Sequence, residues 1–497
     1  MAETPDVTVI VAVYNTMPYL TDCLTSLAGQ SIGLERLQVV AVDDGSTDGS
    51  GKELDRFADL YPGVFTVIHQ DNSGGPAAPS NRGLEAARGR YVFFLGADDH
   101  LGAEALERMV ACADEHGSDV VLGRTEGVNG RHILQDVYER TEPDLSLYDS
   151  ALPYSLSNTK LFRRSLITEH GLRFPEDMPV ASDQPFTIEA CVRARRISVL
   201  ADYTYYYAVR RADDSNITYR TGPLARLRSA EQLITFTAGL LPPGPRRDAV
   251  LERHFAWELA KLLRVEFLDF EPDEQDAICE RVDELSCRYL TDRIRAGLTR
   301  TQRYRLALAA RRDVAALCRS LRRPGTEPLV LEGDEVFERL PGYGSLDPEC
   351  FAFQGAVAKR VARGMRLELS PARGGFTMRV TVPLLGACAR VPADLALLGA
   401  PAEVSRALAA DGSGTVLTAR LSARRLVRQL GRRRLTLSFC AGGERYEISL
   451  PAPAAPQRTW AWHRFGPRRA LLQSGKHDNL LLVVSKISLR PLRRRQP

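Results

Sequence analysis

Five short runs between Val7 and Arg124 are almost wholly apolar and rich in β-branched residues, and amphipathic stretches separate them. Strands of that kind need cover on both faces, which a parallel sheet flanked by crossover helices supplies. An α/β fold is therefore dictated before any motif is read. Strands are predicted at Val7 to Tyr14, Leu37 to Val42, Val64 to His69, Tyr91 to Leu95 and Asp119 to Arg124. Pro18 opens the first helix, in which Leu20, Cys23, Leu24 and Leu27 share one face. Another helix, from Ala103 to His116, turns Leu106, Met109, Val110 and Ala113 inward, with Gly117 as its C-cap. Residues 150–210 are turn-rich, with a helix start near Arg163 and a last strand from Ser198 to Val209.

Pro223 opens a different texture. Helix formers dominate from Leu224 to Leu321, with sets such as Leu259, Leu262 and Leu263 at helical spacing. After Arg323, Pro324 and Gly325 come short alternating runs, among them Phe376 to Val382, Thr415 to Leu421 and Arg445 to Leu450, separated by turn residues as in a β-sandwich. The chain of 497 residues thus divides into an α/β domain at 1–220, an α-helical connector at 221–325 and a β-rich region at 326–497. Charge divides it as well: residues 1–200 hold 17 Lys and Arg against 30 Asp and Glu, and residues 351–497 hold 26 against 7. The basic end suits an anionic partner, whether nucleic acid, lipid headgroups or a polyphosphate chain. Nine scattered cysteines without a CxxC pair favour buried thiols in a reducing compartment over disulfides or zinc. No apolar run approaches the roughly 20 residues that span a bilayer, and the N-terminus lacks a signal-peptide pattern, so a cytoplasmic protein is expected.

The first strand–helix turn, Val13 to Pro18, contains no glycine, which excludes a dinucleotide-binding fingerprint. The second strand instead ends in Asp43-Asp44-Gly45-Ser46-Thr47-Asp48, at the sheet edge where open α/β folds bind ligands. That segment is also a good turn and N-cap signal. The fourth strand runs into a second acidic pair, Asp98 and Asp99. Carboxylates crowded at one edge raise each other's pKa unless a cation intervenes, so a divalent ion bridging to a phosphate is the economical reading.

In order along the chain, Val9 to Asn15, Val42 to Asp48, Asn72 with Gly74-Gly75-Pro76, Asn81-Arg82-Gly83 and Gly89 to Asp99 resemble the nucleotide-sugar half of family 2 inverting glycosyltransferases, over residues 6–215. The resemblance implies a GT-A fold, a nucleoside-diphosphate sugar, usually a UDP-sugar, and Mg²⁺ or Mn²⁺ on the diphosphate. It places Ala12 and Tyr14 at the nucleobase, Asp44 as acceptor from the base N–H, and Asn72 and Arg82 facing the nucleotide. Asp98 matches the metal-binding carboxylate of the family's DxD motif, whereas Gly96 stands where many relatives carry its first Asp, a departure that weakens metal affinity. The segment Pro175 to Phe186 resembles the family's Glu-Asp site with Ser182 in place of Glu, which makes Asp183 the general base. Arg211, after the aromatic run Tyr203, Tyr205, Tyr206 and Tyr207, is placed to stabilise the leaving diphosphate, in a loop reaching Ser215 and Asn216. Asn158 to Arg164 resembles the family's lysine-containing strand, without a catalytic role. The absence of Gln-x-x-Arg-Trp favours transfer of one sugar over polymer synthesis.

The whole arrangement is similar to that of bacterial wall teichoic acid glycosyltransferases, implying an anionic polyol-phosphate polymer as acceptor. Charge adds a separate expectation: a basic module holds such a polymer through many weak, salt-sensitive contacts, so residues 351–497 are expected to bind an anionic polymer or help assemble a homo-oligomer. Three alternatives stay open: a peripheral membrane enzyme at the inner face of the cell membrane acting on a lipid-linked or capsular polysaccharide acceptor; a noncatalytic protein binding sugar or anionic polymer; and, suggested by arginines such as Arg432 to Arg434 and Arg493 to Arg495, a nucleic-acid binder. The last lacks an aromatic-interleaved platform or helix-turn-helix, so no nucleic-acid partner is expected.

Overall fold

A computed structural model describes residues 4–178, 180–211, 221–322, 325–399, 402–475 and 478–487. Ser215, Asn216 and Arg493 to Arg495 lie outside the described residues. The chain forms two compact units, residues 1–314 and 315–497.

In the first unit the predicted strands form: β1 (Val7–Val13), β2 (Leu37–Asp44), β3 (Phe65–Gln70), β4 (Tyr91–Gly96) and β6 (Val120–Gly123), with the two-residue β5 (His100–Leu101) between the last two. Four helices fall between them: α1 (Tyr19–Ala28), α2 (Ser50–Leu60), α3 (Ala77–Ala86) and α4 (Ala105–His116). Pro18 sits at the N-cap of α1, one position earlier than the first helical residue, and Gly117 caps α4 at φ 66. After β7 (Thr125–Val128) come β8 (Lys160–Arg163), α5 (Arg164–Glu169), α6 (Asp183–Arg193), β9 (Ile197–Leu200) and β10 (Tyr206–Val209). The strand expected from Ser198 to Val209 is in fact two, because β9 pairs with β6 in the main sheet and β10 with β5 and β7 in a smaller one.

The main sheet has the order β3-β2-β1-β4-β8-β6-β9. Its strands are apolar on both sides because both are covered: Val7, Val9, Val11, Phe93 and Leu95 join one core, while Ile10, Val92 and Phe94 join the core on the opposite face. Helix α3 lies so close to β1 that a Cβ on Gly83 would come 2.4 Å from Ile10 Cγ2. From Pro223 the chain is helical, in segments that include Pro223–Leu240, Pro245–Arg253, Pro272–Tyr289 and Arg300–Ala310, and a π-helical turn occupies His254–Leu259.

The second unit carries one core shared by several small sheets. One four-stranded sheet contains Arg366–Ala372, Gly375–Val382, Thr415–Ser422 and Val404–Leu408; another runs Gly431–Arg434, Leu480–Lys486, Gly466–Ser474 and Gln457–His463. Among the described residues no helix is long and apolar enough to cross a membrane, and none of the nine cysteines is in a disulfide.

Candidate functional site

Strand β1 pairs with β2 on one side and with β4 on the other, so the chain direction across the sheet reverses there. Such a switch point leaves a crevice outside the carboxyl ends of the strands. The loops at that edge are tied together by the Asp43 to Asp48 turn. Asp43 accepts the Ser46 N–H (3.1 Å), Ser46 Oγ accepts the Asn15 N–H (3.1 Å), Asn15 Oδ1 accepts the Thr47 N–H (2.8 Å), and Asp48 accepts the Met17 N–H (2.9 Å). Gly45 sits at φ +76, where a Cβ would also come 2.9 Å from the Asn72 nitrogen. The segment is thus the turn that its residues predict, and it ties the β1 and β2 loops together.

Ala12 lies in register between Val42 and Gly96, and Tyr14, just beyond β1, is 50% exposed. Asp44 is buried, and its carboxylate accepts from Gln70 Nε2 (2.7 Å), Ser73 Oγ (2.9 Å) and the Ser73 N–H (3.1 Å), with Asn72 Nδ2 at 3.0 Å from its carbonyl. A carboxylate has about four acceptor positions. Protein donors therefore take most of Asp44, which fastens the 70–73 loop and keeps little capacity for a base. Arg82 is exposed on α3 and pairs with Glu85 (2.8 Å); none of its contacts draws it toward the strand ends. Its neighbour Asn81 is the inward residue: its side chain bonds both backbone groups of Phe174 and the Glu176 carboxylate, each at 2.9 Å.

Past β4, Asp98 and Asp99 diverge. Asp99 is buried and accepts the Tyr206 hydroxyl and the Val209 N–H, both at 2.6 Å, with Arg131 at 3.4 Å. Burial, reinforced by Asp98, pushes its carboxyl up to about 6 against the opposing pull of Arg131 and those hydrogen bonds. Asp99 thereby fixes β10 on the β4 edge. Two residues beyond Val209, Arg211 turns onto Asp98, Nε to Oδ2 at 2.7 Å, and its guanidinium also reaches the Asn15 carbonyl at 3.4 Å. Asn15, Asp98 and Arg211 thus meet at the switch point.

These contacts bear on the expected metal ion. Gly96 supplies no carboxylate, and its N–H donates to the Tyr206 hydroxyl (3.1 Å). A Cβ there would lie 2.6 Å from Asp99 Oδ2 and 3.2 Å from the Tyr206 hydroxyl, so a first aspartate of a DxD pair has no room. Asp99 is committed inward and Asp98 to Arg211, and among the described residues no group of three or more His, Cys, Asp or Glu side chains could hold an ion. The donor set does not fit Mg²⁺ or Mn²⁺, which take several oxygen ligands. The expectation of a metal at Asp98 is corrected accordingly, because a guanidinium stands on the one outward carboxylate.

Asp183 begins α6 and follows the buried Ser182. Phe186, one turn on, anchors the helix in an aromatic cluster, stacked on Phe174 at 4.4 Å and edge-on to Phe94 and Phe162 at 5.4 and 5.3 Å. Strand β8 runs antiparallel to β4 with Leu161 opposite Phe93, so its beginning lies against the carboxyl end of β4. Nearby backbone amides, those of Asp183 itself and of Asn158, oppose the effect of burial on the Asp183 carboxyl. Burial raises that carboxyl above its ordinary range, while Lys160 and Arg253 pull the other way. Lys160 is itself fully buried, its ammonium donating to the carbonyls of Ser155 (2.7 Å) and Ser157 (2.6 Å), and burial pushes it down to about 8. Arg253 comes from the helical region and donates to Gln184 (2.6 Å), beside Asp183, and to Glu258 (2.7 Å).

Sequence reasoning noticed Lys160 without giving it a part, and missed Asn15, Asn81, Arg131 and Arg253. A lone buried lysine on a strand was the available signal for the first; the others depend on contacts between distant segments. If Asp183 is the base, Lys160→Met is expected to move the acid limb of the pH–rate profile upward, because the cation that favours ionised Asp183 is gone. An unshifted profile from a folded variant would show that Lys160 does not act on Asp183.

Comparison with known proteins gives two family matches: the glycosyl transferase family 2 model over residues 8–168, and the TarS linker domain of glycosyl transferases over residues 225–320. Among curated proteins the chain is 39% identical over 205 residues to a poly(ribitol-phosphate) β-glucosyltransferase of Bacillus spizizenii, covering 41% of this chain and 32% of that protein. It is 40% identical over 203 residues to the poly(ribitol-phosphate) β-N-acetylglucosaminyltransferase TarS of Staphylococcus aureus, covering 41% and 35%. The chain thus matches about a third of the length of these relatives. The crystal structure of S. aureus TarS 1–349 with UDP-GlcNAc aligns at a TM-score of 0.61 and 28% identity, over 70% of this chain and 99% of that one. The crystal structure of S. aureus TarS aligns at 0.60 over 97% of this chain and 86% of that chain, at 22% identity, a likeness of fold.

Proposed function

From a chain that carries a family 2 glycosyl transferase domain joined to a TarS-type linker, we propose an enzyme that moves one hexose or N-acetylhexosamine from a UDP-sugar to a hydroxyl of a poly(polyol phosphate) chain, with inversion. The observation that supports this reading is Arg211 on Asp98 beside the β1–β4 switch point, with Asp183 opening α6 next to Lys160 of β8, the strand whose beginning lies against the carboxyl end of β4. Two opposite demands are met there. Asp183 takes the proton of the acceptor hydroxyl as its oxygen bonds to the anomeric carbon from the face away from the diphosphate. The bond from that carbon to the diphosphate oxygen breaks in the same displacement, and UDP departs with the electron pair. Arg211 meets the charge that develops on the diphosphate. Tyr14 and Ala12 line the side where the uracil would lie, and Asn72 and Asp44 hold that wall. Mg²⁺ or Mn²⁺ has no step in this scheme, since the donor set at Asp98 does not suit it. A UDP-sugar donor supports a cytoplasmic location for the enzyme on this reading.

The test is UDP release from UDP-GlcNAc, UDP-GalNAc, UDP-Glc and UDP-Gal, with and without poly(ribitol phosphate), in Mn²⁺ and in EDTA. Release that depends on polymer with one donor, and that persists in EDTA, is the expected result. No turnover of any donor removes the reading.

A further inference from the structure

One face of the second unit resembles nothing else on the described surface. In the sheet formed by Gly431–Arg434, Leu480–Lys486, Gly466–Ser474 and Gln457–His463, one side faces the core through Ala461, Ala470, Leu472, Leu482 and Val484. Alternation along the strands sends their neighbours to the opposite side. There the register aligns Arg432, Val483, Leu471 and Arg458 in one row and Ser485, Arg469 and Trp460 in the next, with Trp462 two residues beyond Trp460. Trp460 is 60% and Trp462 68% exposed. Large aromatics are normally drawn under cover, and two of them bare on one edge strand form an apolar platform that needs an occupant.

Charge says which occupant. The four strands contain six arginines and one lysine and no Asp or Glu; Asp478, in a turn, is the sole acid from Gln457 to Lys486. A face with cations and no acids repels another basic surface, including a second copy of itself, and attracts a polyanion. Indole faces stack on the C–H side of sugar and polyol units, and arginine forks take phosphodiesters. The tryptophans stand two residues, about 7 Å, apart along one strand that ends at His463, a spacing that suits an extended chain lying along the sheet.

We infer that this face binds the phosphodiester-linked polyol chain itself, outside the transfer site, with Trp460 and Trp462 under its carbon backbone and Arg432, Arg458 and Arg469 on its phosphates. The inference rests on the acceptor class proposed above. Holding the polymer here raises the local concentration of its other hydroxyls at the transfer site, an avidity effect in which each contact is weak and salt-sensitive.

The test uses the full-length protein, fluorescently end-labelled poly(ribitol phosphate) and no sugar donor. Trp460→Ala/Trp462→Ala and Arg458→Ser/Arg469→Ser are each expected to weaken binding by about tenfold, the arginine pair also flattening its salt dependence. The KM for polymer should rise in step, while UDP release with a single-repeat acceptor is unchanged. All four side chains lie on the outward side of the sheet, and an unchanged melting curve checks the fold. Equal polymer affinity in wild type and both variants overturns the inference. So does loss of a sedimenting oligomer with polymer affinity unaltered, which would assign the face to a second copy, or tighter wild-type binding to single-stranded RNA or to phosphatidylglycerol vesicles than to polymer. Polymer binding lost in the variants, in a protein that turns over no donor, upholds this face and rejects the proposed transfer reaction; turnover that the variants leave untouched at every polymer concentration does the reverse.

Discussion

Asp183→Asn is expected to lose transfer by about a thousand-fold while UDP still binds, because the amide keeps the shape of the side chain and cannot take a proton. The environment explains why Asp183 suits that task. Burial raises its carboxyl above the ordinary range, which strengthens it as a base, while Lys160, Arg253 and nearby backbone amides oppose that rise. The sign follows directly: the base works when ionised, so the wild-type rate falls as pH drops through the raised pKa, and the residual rate of the Asn variant should show no such limb. Polymer-dependent UDP release across pH, with UDP affinity measured separately by calorimetry, checks both. A variant that turns over at the wild-type rate would move the base elsewhere. The roles of Asp183 and Lys160 are separable, since Lys160→Met shifts the limb and retains a base, whereas Asp183→Asn removes it.

How far the sequence foretold this site depends on how local each cause is. The β1, β2 and β4 strands and the α4 cap are written in short-range patterns, apolar runs and a glycine after the last helical turn, and the structure reproduces them. Asp98, Arg211 and Asp183 could be singled out because each sits in a motif whose order along the chain is informative, and the fold joins the first two in an ion pair. What the sequence could not reveal is pairing. Asp44 looked free to read a base, yet Gln70 and Ser73, some 26 and 29 positions on, occupy its carboxylate. Arg82 looked like the cation of its motif, yet helical phase turns it outward to Glu85 and turns Asn81 inward. The single strand expected from Ser198 to Val209 divides because Asp99, more than 100 positions earlier, captures the second half through Val209 and Tyr206. Gly96 read as a lost metal ligand; only its neighbours show that the Tyr206 hydroxyl and the Asp99 carboxylate fill the space a longer side chain would need.

Arg211→Ala should cost about a hundred-fold in kcat, comparable with deleting a preorganised donor from an oxyanion site. The guanidinium is already in place: its side chain is 16% exposed, Asp98 grips Nε at 2.7 Å, and Asn15 takes a second N–H at 3.4 Å. These contacts fix the guanidinium before the donor arrives, so little reorganisation is needed when charge develops beside it. The anchor of β10 lies at Tyr206 and Val209, so removing the Arg211 side chain leaves that strand and the melting temperature unchanged. Arg211→Lys keeps the charge and loses the fork geometry; it should recover only part of the rate, and the gap between the two variants measures what directed hydrogen bonds add to bare charge. Asp98→Asn gives the complementary result. It frees the guanidinium without deleting it, so kcat should fall less than in Arg211→Ala while donor KM rises with the lost orientation. Single-turnover transfer from a saturating UDP-sugar separates these effects, and a full rate in Arg211→Ala would mean that the leaving diphosphate is neutralised by some other group.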